Sequence, residues 1–312
     1  MNSKAIFIVG AGAIGKALAA FLKSEGKEVV LLRGHLDDHS AYTEQIEVVL
    51  KNSEVIKAEV PVSTISNYSE LNGLVVLTNK SYGNAAIAQR LKAKINATPI
   101  VILQNGLNVE KPFIEHKFPQ IYRCVLFATS QLLSENKLQF MPVSDSSVGI
   151  ISGNTEGLLS IVNEINTQHF KFKTEPNIYA KIWSKTIVNC VFNSVCPLLE
   201  IDNGIFYRNS EALSIAKRVI NECIAVAATQ GILLSSEEVI NSLLLISQHS
   251  DGQLISTYQD IINKRKTEID TLNVAIATIA DNLQEKRLAK ETSLLGELIQ
   301  IKSQIALSSL SS

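Results

Sequence analysis

The chain has 312 residues, with 29 Lys and Arg against 30 Asp and Glu, 46% hydrophobic residues and 19% charged ones. It is too long for one small core and suits two domains. Its near-zero net charge gives no global basic field to gather nucleic acid, and the mix does not predict long disorder. The four cysteines, Cys124, Cys190, Cys196 and Cys223, form no Cys-x-x-Cys pair and have no His at metal-ligand spacing. They read as buried small hydrophobes in a reducing compartment, and no metal is expected. The first apolar run is a strand's length, too short for a signal peptide, and no uninterrupted apolar stretch reaches the length of a transmembrane helix. A cytoplasmic protein with no nucleic-acid or membrane partner is expected.

Runs rich in Val, Ile and Leu lie at 4–9, 28–33, 73–78 and 99–104. Such runs suit parallel strands buried on both faces. Helical patterns at 14–25 and 84–94 alternate with them, which predicts an α/β fold with a Rossmann-like doubly wound sheet. Further on, 122–131, 137–142 and 148–152 read as a meander turning at Ser134-Glu135-Asn136. After Glu175-Pro176-Asn177 the texture becomes helical. Pro197 should stop a helix starting near Asn177, and helices follow at 211–230, 236–248, 253–264, 267–284 and 292–305. Thr267 and Asp270 read as an N-cap with an acidic N3 residue. The predicted division is a nucleotide-binding domain over 1–176 and an all-helical domain over 177–312. The helical half can bury its apolar surface within the chain or against a second copy as a homodimer.

The turn Gly10-Ala11-Gly12-Ala13-Ile14-Gly15 follows the first strand, opens a helix and precedes a second strand. In that context Gly-x-Gly-x-x-Gly is a dinucleotide fingerprint rather than a plain turn. Gly10 permits the tight turn, Gly12 lets backbone approach a pyrophosphate, and Gly15 lets helix pack on sheet. The helix N-terminus then offers N–H groups and a positive dipole end to the phosphates. Arg33 ends the second strand, where an NAD-preferring site places a carboxylate. The nearest following acids are Asp37 and Asp38. An Arg here can pair with the 2′-phosphate of NADPH, so NADP(H) is the expected cofactor; the bland alternative is a solvated strand-end arginine.

Lys80 and Asn105-Gly106 end the third and fourth strand candidates, at the carboxyl edge where open α/β sheets bind ligands. Lys185, Asn189 and Asn193 recur every four residues in an otherwise apolar segment. On a helix they form one stripe of a cation and two amides. Burying them costs stability unless they find partners, which are either a polar ligand or a structural network. Glu268 falls in the first turn of the predicted helix at 267–284, where the dipole favours an acid in any case.

Together these residues resemble the ketopantoate reductase (2-dehydropantoate 2-reductase) family of pantothenate biosynthesis, and the resemblance spans nearly the whole chain. It implies NADPH-dependent reduction of a small-molecule 2-oxo acid, ketopantoate, to pantoate. By that resemblance Lys185 is the catalytic acid and Glu268 assists at the substrate. Asn105, Asn189, Asn193 and Ser256 would contact substrate, and Lys80, with Asn105, would lie at the cofactor–substrate junction. The chain departs at Gln253, where the family places an asparagine three residues before the serine; the longer amide can still reach a substrate hydroxyl. A protonated Lys185 would stabilise the charge developing on the carbonyl oxygen and donate the proton. The rival readings are a reductase of another 2-oxo acid, another Rossmann-plus-helical dehydrogenase, and a noncatalytic NADPH-binding sensor. The sensor would keep the glycine turn and Arg33 but has no need for Lys185 and Glu268.

Overall fold

The computed structural model describes residues 5–35 and 38–308, so Lys4 and Asp37 lie outside the described residues. The chain divides into two compact units, one of 1–104 and 109–178, the other of 105–108 and 179–312.

The first unit runs β1 (Ala5–Val9), α1 (Ala13–Ser24), β2 (Val29–Arg33), β3 (Tyr42–Val49), β4 (Val55–Thr64), β5 (Gly73–Leu77), α2 (Asn84–Lys92) and β6 (Ile100–Ile102). It continues through α3 (Lys111–Glu115), β7 (Ile121–Val125), β8 (Ala128–Leu132), β9 (Lys137–Pro142), β10 (Ser146–Ser152), α4 (Thr155–Ile165) and β11 (Phe172–Thr174). All strands join one sheet in the order β11-β10-β7-β6-β5-β1-β2-β4-β3-β9-β8. From β7 to β4 every neighbouring pair is parallel. Along β1, Ile6 and Ile8 enter one apolar core while Phe7 and Val9 enter another; β5 does the same with Leu74 and Val76 against Val75 and Leu77. Both faces of these strands are therefore dry, which is why their sequences run apolar without alternation. Leu18, Phe21, Leu158 and Ile161 bring α1 and α4 into the first core, and Ile87, Leu91 and Phe113 bring α2 and α3 into the second. Helices cover both faces, as a doubly wound sheet requires.

Two features depart from the sequence expectation. β3 and β4 form an antiparallel hairpin that apolar runs do not reveal, because its buried Ile46, Val48, Val60 and Val62 alternate with exposed or half-exposed residues. A buried pair between Lys16 of α1 and Glu44 of β3 ties the hairpin to the helix, and Lys16 Nζ also donates to the Glu135 carbonyl at 2.8 Å. The expected meander is not formed. β8 and β9 do pair as a hairpin around 133–136, but β9 joins β3 at one end of the sheet, whereas β7 and β10 pair near the other.

The second unit contains α5 (Ile178–Leu199, its first residue in the other unit), α6 (Ile205–Arg208), α7 (Ser210–Thr229), α8 (Ser236–His249), α9 (Ser256–Ile262), α10 (Asn273–Asn282) and α11 (Lys290–Ser308). Its buried side chains include Ile187, Val191 and Phe192 of α5, Val219, Ile220 and Val226 of α7, and Ile276 of α10; Phe192 meets Phe206 edge-on at 5.1 Å. Helix α5 runs two residues past Pro197 instead of stopping there. Proline is tolerated in this last turn at the cost of one bond, since it has no N–H to donate to the Asn193 carbonyl. The helix expected over 267–284 is also broken. A single 3-10 turn, Ile269–Thr271, precedes α10, and Leu272 (φ −110°, ψ −109°) separates the two. Glu268 therefore caps a short turn, and the expected Thr267 N-cap is absent. Helix α11 turns Thr292, Gly296, Ile299 and Ser303 inward and leaves Leu294, Leu298, Ile301 and Ile305 exposed.

Candidate active site

In the first unit the carboxyl ends of β1, β2 and β5 lie side by side, because β1 pairs with β2 on one flank and β5 on the other. This sheet edge brings together the glycine turn, Arg33 and the segment leading to Lys80. Gly10 has φ +124°, and a Cβ there would sit 2.4 Å from the Asn79 nitrogen. A Cβ on Gly15 would sit 2.0 Å from the Gly10 carbonyl oxygen, so turn and helix touch backbone to backbone. The Thr78 hydroxyl donates to that carbonyl at 2.9 Å and holds the turn against β5. Gly12 differs: nothing lies within 4 Å of its would-be Cβ, it caps α1, and no side chain fills the cap. The first turn of α1 also carries no acid. Open space before N–H groups that no side chain caps fits the pyrophosphate of a dinucleotide.

Arg33 is largely buried and already engaged. Its Nη2 donates to Asp38 Oδ1 at 2.7 Å, to the Ser40 hydroxyl, and to the Ser40 carbonyl at 3.3 Å. Its guanidinium carbon lies 5.6 Å from the Tyr42 ring centre. The Ser40 backbone and hydroxyl donate to Asp38 and hold its carboxyl below the usual range, and Arg33 adds to this.

Beneath Lys80 lies an amide network that sequence reasoning missed. Asn84 Nδ2 donates to Gln104 Oε1 at 2.6 Å and to the Val109 carbonyl at 2.7 Å. Gln104 Nε2 donates to the Asn79 carbonyl at 2.8 Å, and Asn79 Nδ2 donates to the Lys80 carbonyl at 2.9 Å. The loops after β5 and β6 are thereby knitted together. The sequence offered only Asn84 as a helix start and Gln104 as a strand end; their meeting is a tertiary fact.

In the second unit α5 presents Lys185, Asn189 and Asn193 one turn apart. Lys185 and Asn189 are half-buried and Asn193 is buried. Asn193 finds protein partners: its Nδ2 donates to the Asn189 carbonyl at 2.9 Å, and its Oδ1 accepts from the Ser256 hydroxyl and the Thr257 N–H, both at 3.3 Å. Its amide thus fixes the start of α9 and the position of Ser256. Gln253 is exposed, and its backbone carbonyl accepts from the Asn203 N–H at 2.9 Å. The segment 105–108 folds onto the turn after Glu268. Gly106 (φ +95°) leaves no room for a Cβ beside Thr271, and the Leu107 N–H donates to the Thr271 carbonyl at 2.8 Å. Thr271 in turn donates its N–H and its hydroxyl to the Glu268 carbonyl, each at 3.0 Å. Asn105 and Glu268 are therefore held by one local framework. The glycine turn, Arg33 and Lys80 belong to the first unit; Asn105, Lys185, Asn189, Asn193, Gln253, Ser256 and Glu268 belong to the second.

Burial raises the thiols of Cys190, beside Cys223, and of Cys196, the latter to about 12. All four cysteines are buried and free. Among the described residues no helix is long and apolar enough to cross a membrane.

Residues 6–151 match the family described as Ketopantoate reductase PanE/ApbA, and 177–300 match its companion, Ketopantoate reductase PanE/ApbA C terminal. The 2-dehydropantoate 2-reductase of Streptococcus pyogenes serotype M1 is 25% identical over 283 residues, 89% of this chain and 92% of that protein. Among solved structures, D-mandelate dehydrogenase with NADH and anilino(oxo)acetate has a TM-score of 0.83 at 23% identity, over 97% of this chain and 99% of that one. The dimeric ketopantoate reductase of Staphylococcus aureus has a TM-score of 0.79 at 18% identity, over 97% and 99%. At these identities the structural likeness speaks for the fold.

Proposed function

The chain belongs to the ketopantoate reductase family, and from that premise we propose that it reduces the ketone of 2-dehydropantoate to pantoate with NADPH, a step of pantothenate biosynthesis. The observation that carries this reading is the α5 stripe. A half-buried ammonium and two amides share one face of that helix, and the unit they belong to also holds Glu268 and Asn105 on a common framework. The nicotinamide, when bound, supplies the hydride. The Lys185 ammonium faces the negative charge developing on the carbonyl oxygen and passes it a proton, which completes the alcohol. Glu268 holds the substrate hydroxyl or the ammonium in line. Asn189 and Ser256 satisfy further polar atoms of the substrate, with Ser256 set by its bond to Asn193. In the first unit the N-terminus of α1 takes the pyrophosphate, Arg33 the 2′-phosphate, and Lys80 the nicotinamide end.

The deciding assay follows NADPH oxidation with ketopantoate beside a panel of other 2-oxo acids. Highest kcat/KM with ketopantoate is expected; a clear preference for a different acid removes the substrate assignment and leaves the cofactor assignment standing. Gln253, exposed and longer than the family's asparagine, favours a second reading, a reductase of another 2-oxo acid of similar size. We also take the chain to be a homodimer in the cytoplasm. The dimeric state of the Staphylococcus aureus relative and the exposed aliphatic row of α11 support it. Light scattering should give the mass of two chains, and a one-chain mass removes the dimer.

A further inference from the structure

Arg33 stands where the adenosine ribose of a dinucleotide approaches the end of β2, yet its guanidinium is already held by an anion. Asp38 takes two contacts from it, at 2.7 Å to Nη2 and 3.5 Å to Nη1. The two side chains differ in access: Arg33 is 13% exposed and Asp38 is 51% exposed. Asp38 is also held in place. The Ser40 N–H and hydroxyl donate to its Oδ1 at 3.1 and 2.9 Å. Between them His39 adopts φ +56°. Asn67 fastens that residue twice: its Nδ2 donates to the His39 carbonyl at 3.1 Å, and its Oδ1 lies 3.1 Å from the His39 ring nitrogen. Asn67 is anchored in turn by its bond to the Ser63 hydroxyl at 2.9 Å. A carboxylate fixed this way, close to the end of β2, offers ribose hydroxyls an acceptor of the kind found in NAD-preferring sites, while the neighbouring arginine suits a phosphate.

We propose that Asp38 is a cofactor-discriminating residue. Its carboxylate competes with the 2′-phosphate of NADPH for Arg33 and accepts the ribose hydroxyls of NADH, so the preference for NADPH is smaller than Arg33 alone would set. The proposal rests on the dinucleotide reading above. To engage Arg33, the 2′-phosphate must displace Asp38 and then sit beside its negative charge. NADH pays neither cost and leaves the Arg33–Asp38 pair intact.

Isothermal titration of the full chain with NADPH and with NADH, in wild type, Asp38→Asn and Asp38→Glu, tests this. Asp38→Asn should widen the NADPH-to-NADH affinity ratio by about 5- to 10-fold, the scale of one exposed ion pair plus a relieved like-charge contact. Most of that change should be tighter NADPH binding, and Asp38→Glu should return the ratio toward wild type. An unchanged ratio in Asp38→Asn overturns the proposal. So does equal weakening of both dinucleotides, which is what a merely loosened loop would give. In either case wild-type binding of NADPH leaves the dinucleotide reading intact. A wild-type chain that binds neither dinucleotide overturns that reading and this proposal with it.

Discussion

Lys185 sits in a largely apolar helix, one turn before Asn189 and two before Asn193. A cation is costly in apolar surroundings unless it finds polar partners, and Lys185 is only half-buried. Replacing Lys185 by Ala deletes the proposed proton donor and leaves the apolar packing of α5 in place. Turnover should fall by about 10²- to 10⁴-fold with far-ultraviolet circular dichroism unchanged; near-normal turnover would remove Lys185 from the mechanism. Arg33 is a residue of another kind, acting on affinity for one phosphate. A charge-assisted bond is worth about 1.5–3 kcal/mol, so Arg33→Ala should narrow the NADPH-over-NADH preference by about 10- to 100-fold. Steady-state kinetics with both cofactors reads this directly, and an unchanged preference would free Arg33 from the phosphate.

At the level of elements, the β1–α1 junction separates packing from binding within one motif. A Cβ on Gly15 would enter the Gly10 carbonyl, so Gly15→Ala must push α1 off the turn, and overpacking of this kind costs about 1–3 kcal/mol. Gly12 has open space before it, so Gly12→Ala should lose at most about 1 kcal/mol, through the poorer N-cap. The methyl would nevertheless fill the room a pyrophosphate needs. Thermal unfolding and NADPH titration together should show Gly15→Ala failing in stability and Gly12→Ala failing in binding. Gly12→Ala with undiminished NADPH affinity would move the phosphates elsewhere. The same junction shows what was legible in the sequence. β1, β2, β5 and β6 announce themselves because both faces are buried. The β3–β4 hairpin does not, since one face meets solvent and charged residues interrupt its apolar set. The expected meander gave way to pairings between strands far apart in the chain, β3 with β9 and β7 with β10, which no local pattern encodes. The helix over 267–284 breaks where Thr271 is taken up by the 105–107 segment, a tertiary bond that outweighs helix propensity. For the candidate site, residue types and spacing suggested Arg33 and the α5 stripe. The partners that define their chemistry, Asp38 and Ser40 at one and Ser256 at the other, become visible only when side chains are placed.

For the molecule as a whole, response to acid is set by carboxylates whose folded environment favours the charged form. Asp202, between α5 and α6, is one such group, held down to about 2. Arg208 is the main cause, donating to both its oxygens at 3.0 and 2.8 Å, and the Gly204 and Gly252 N–H groups add bonds at 2.8 and 3.1 Å. Because the folded value lies below the ordinary 3.8, the unfolded chain binds a proton at this carboxyl more readily than the folded one does. The stabilisation is fully present above about pH 4, declines as pH falls, and is gone once the folded carboxyl itself protonates near 2. Asp202→Asn removes the charge at every pH but keeps an amide that can still accept from the glycine N–H groups. Its melting temperature should therefore lie below wild type at pH 6 to 7, and the gap should close as pH is lowered from about 4 toward 2. Melting curves collected for both proteins across that range check the sign. A gap that is constant with pH would assign the loss to altered packing around α6, and a gap that widens in acid would contradict the direction of the Asp202 shift.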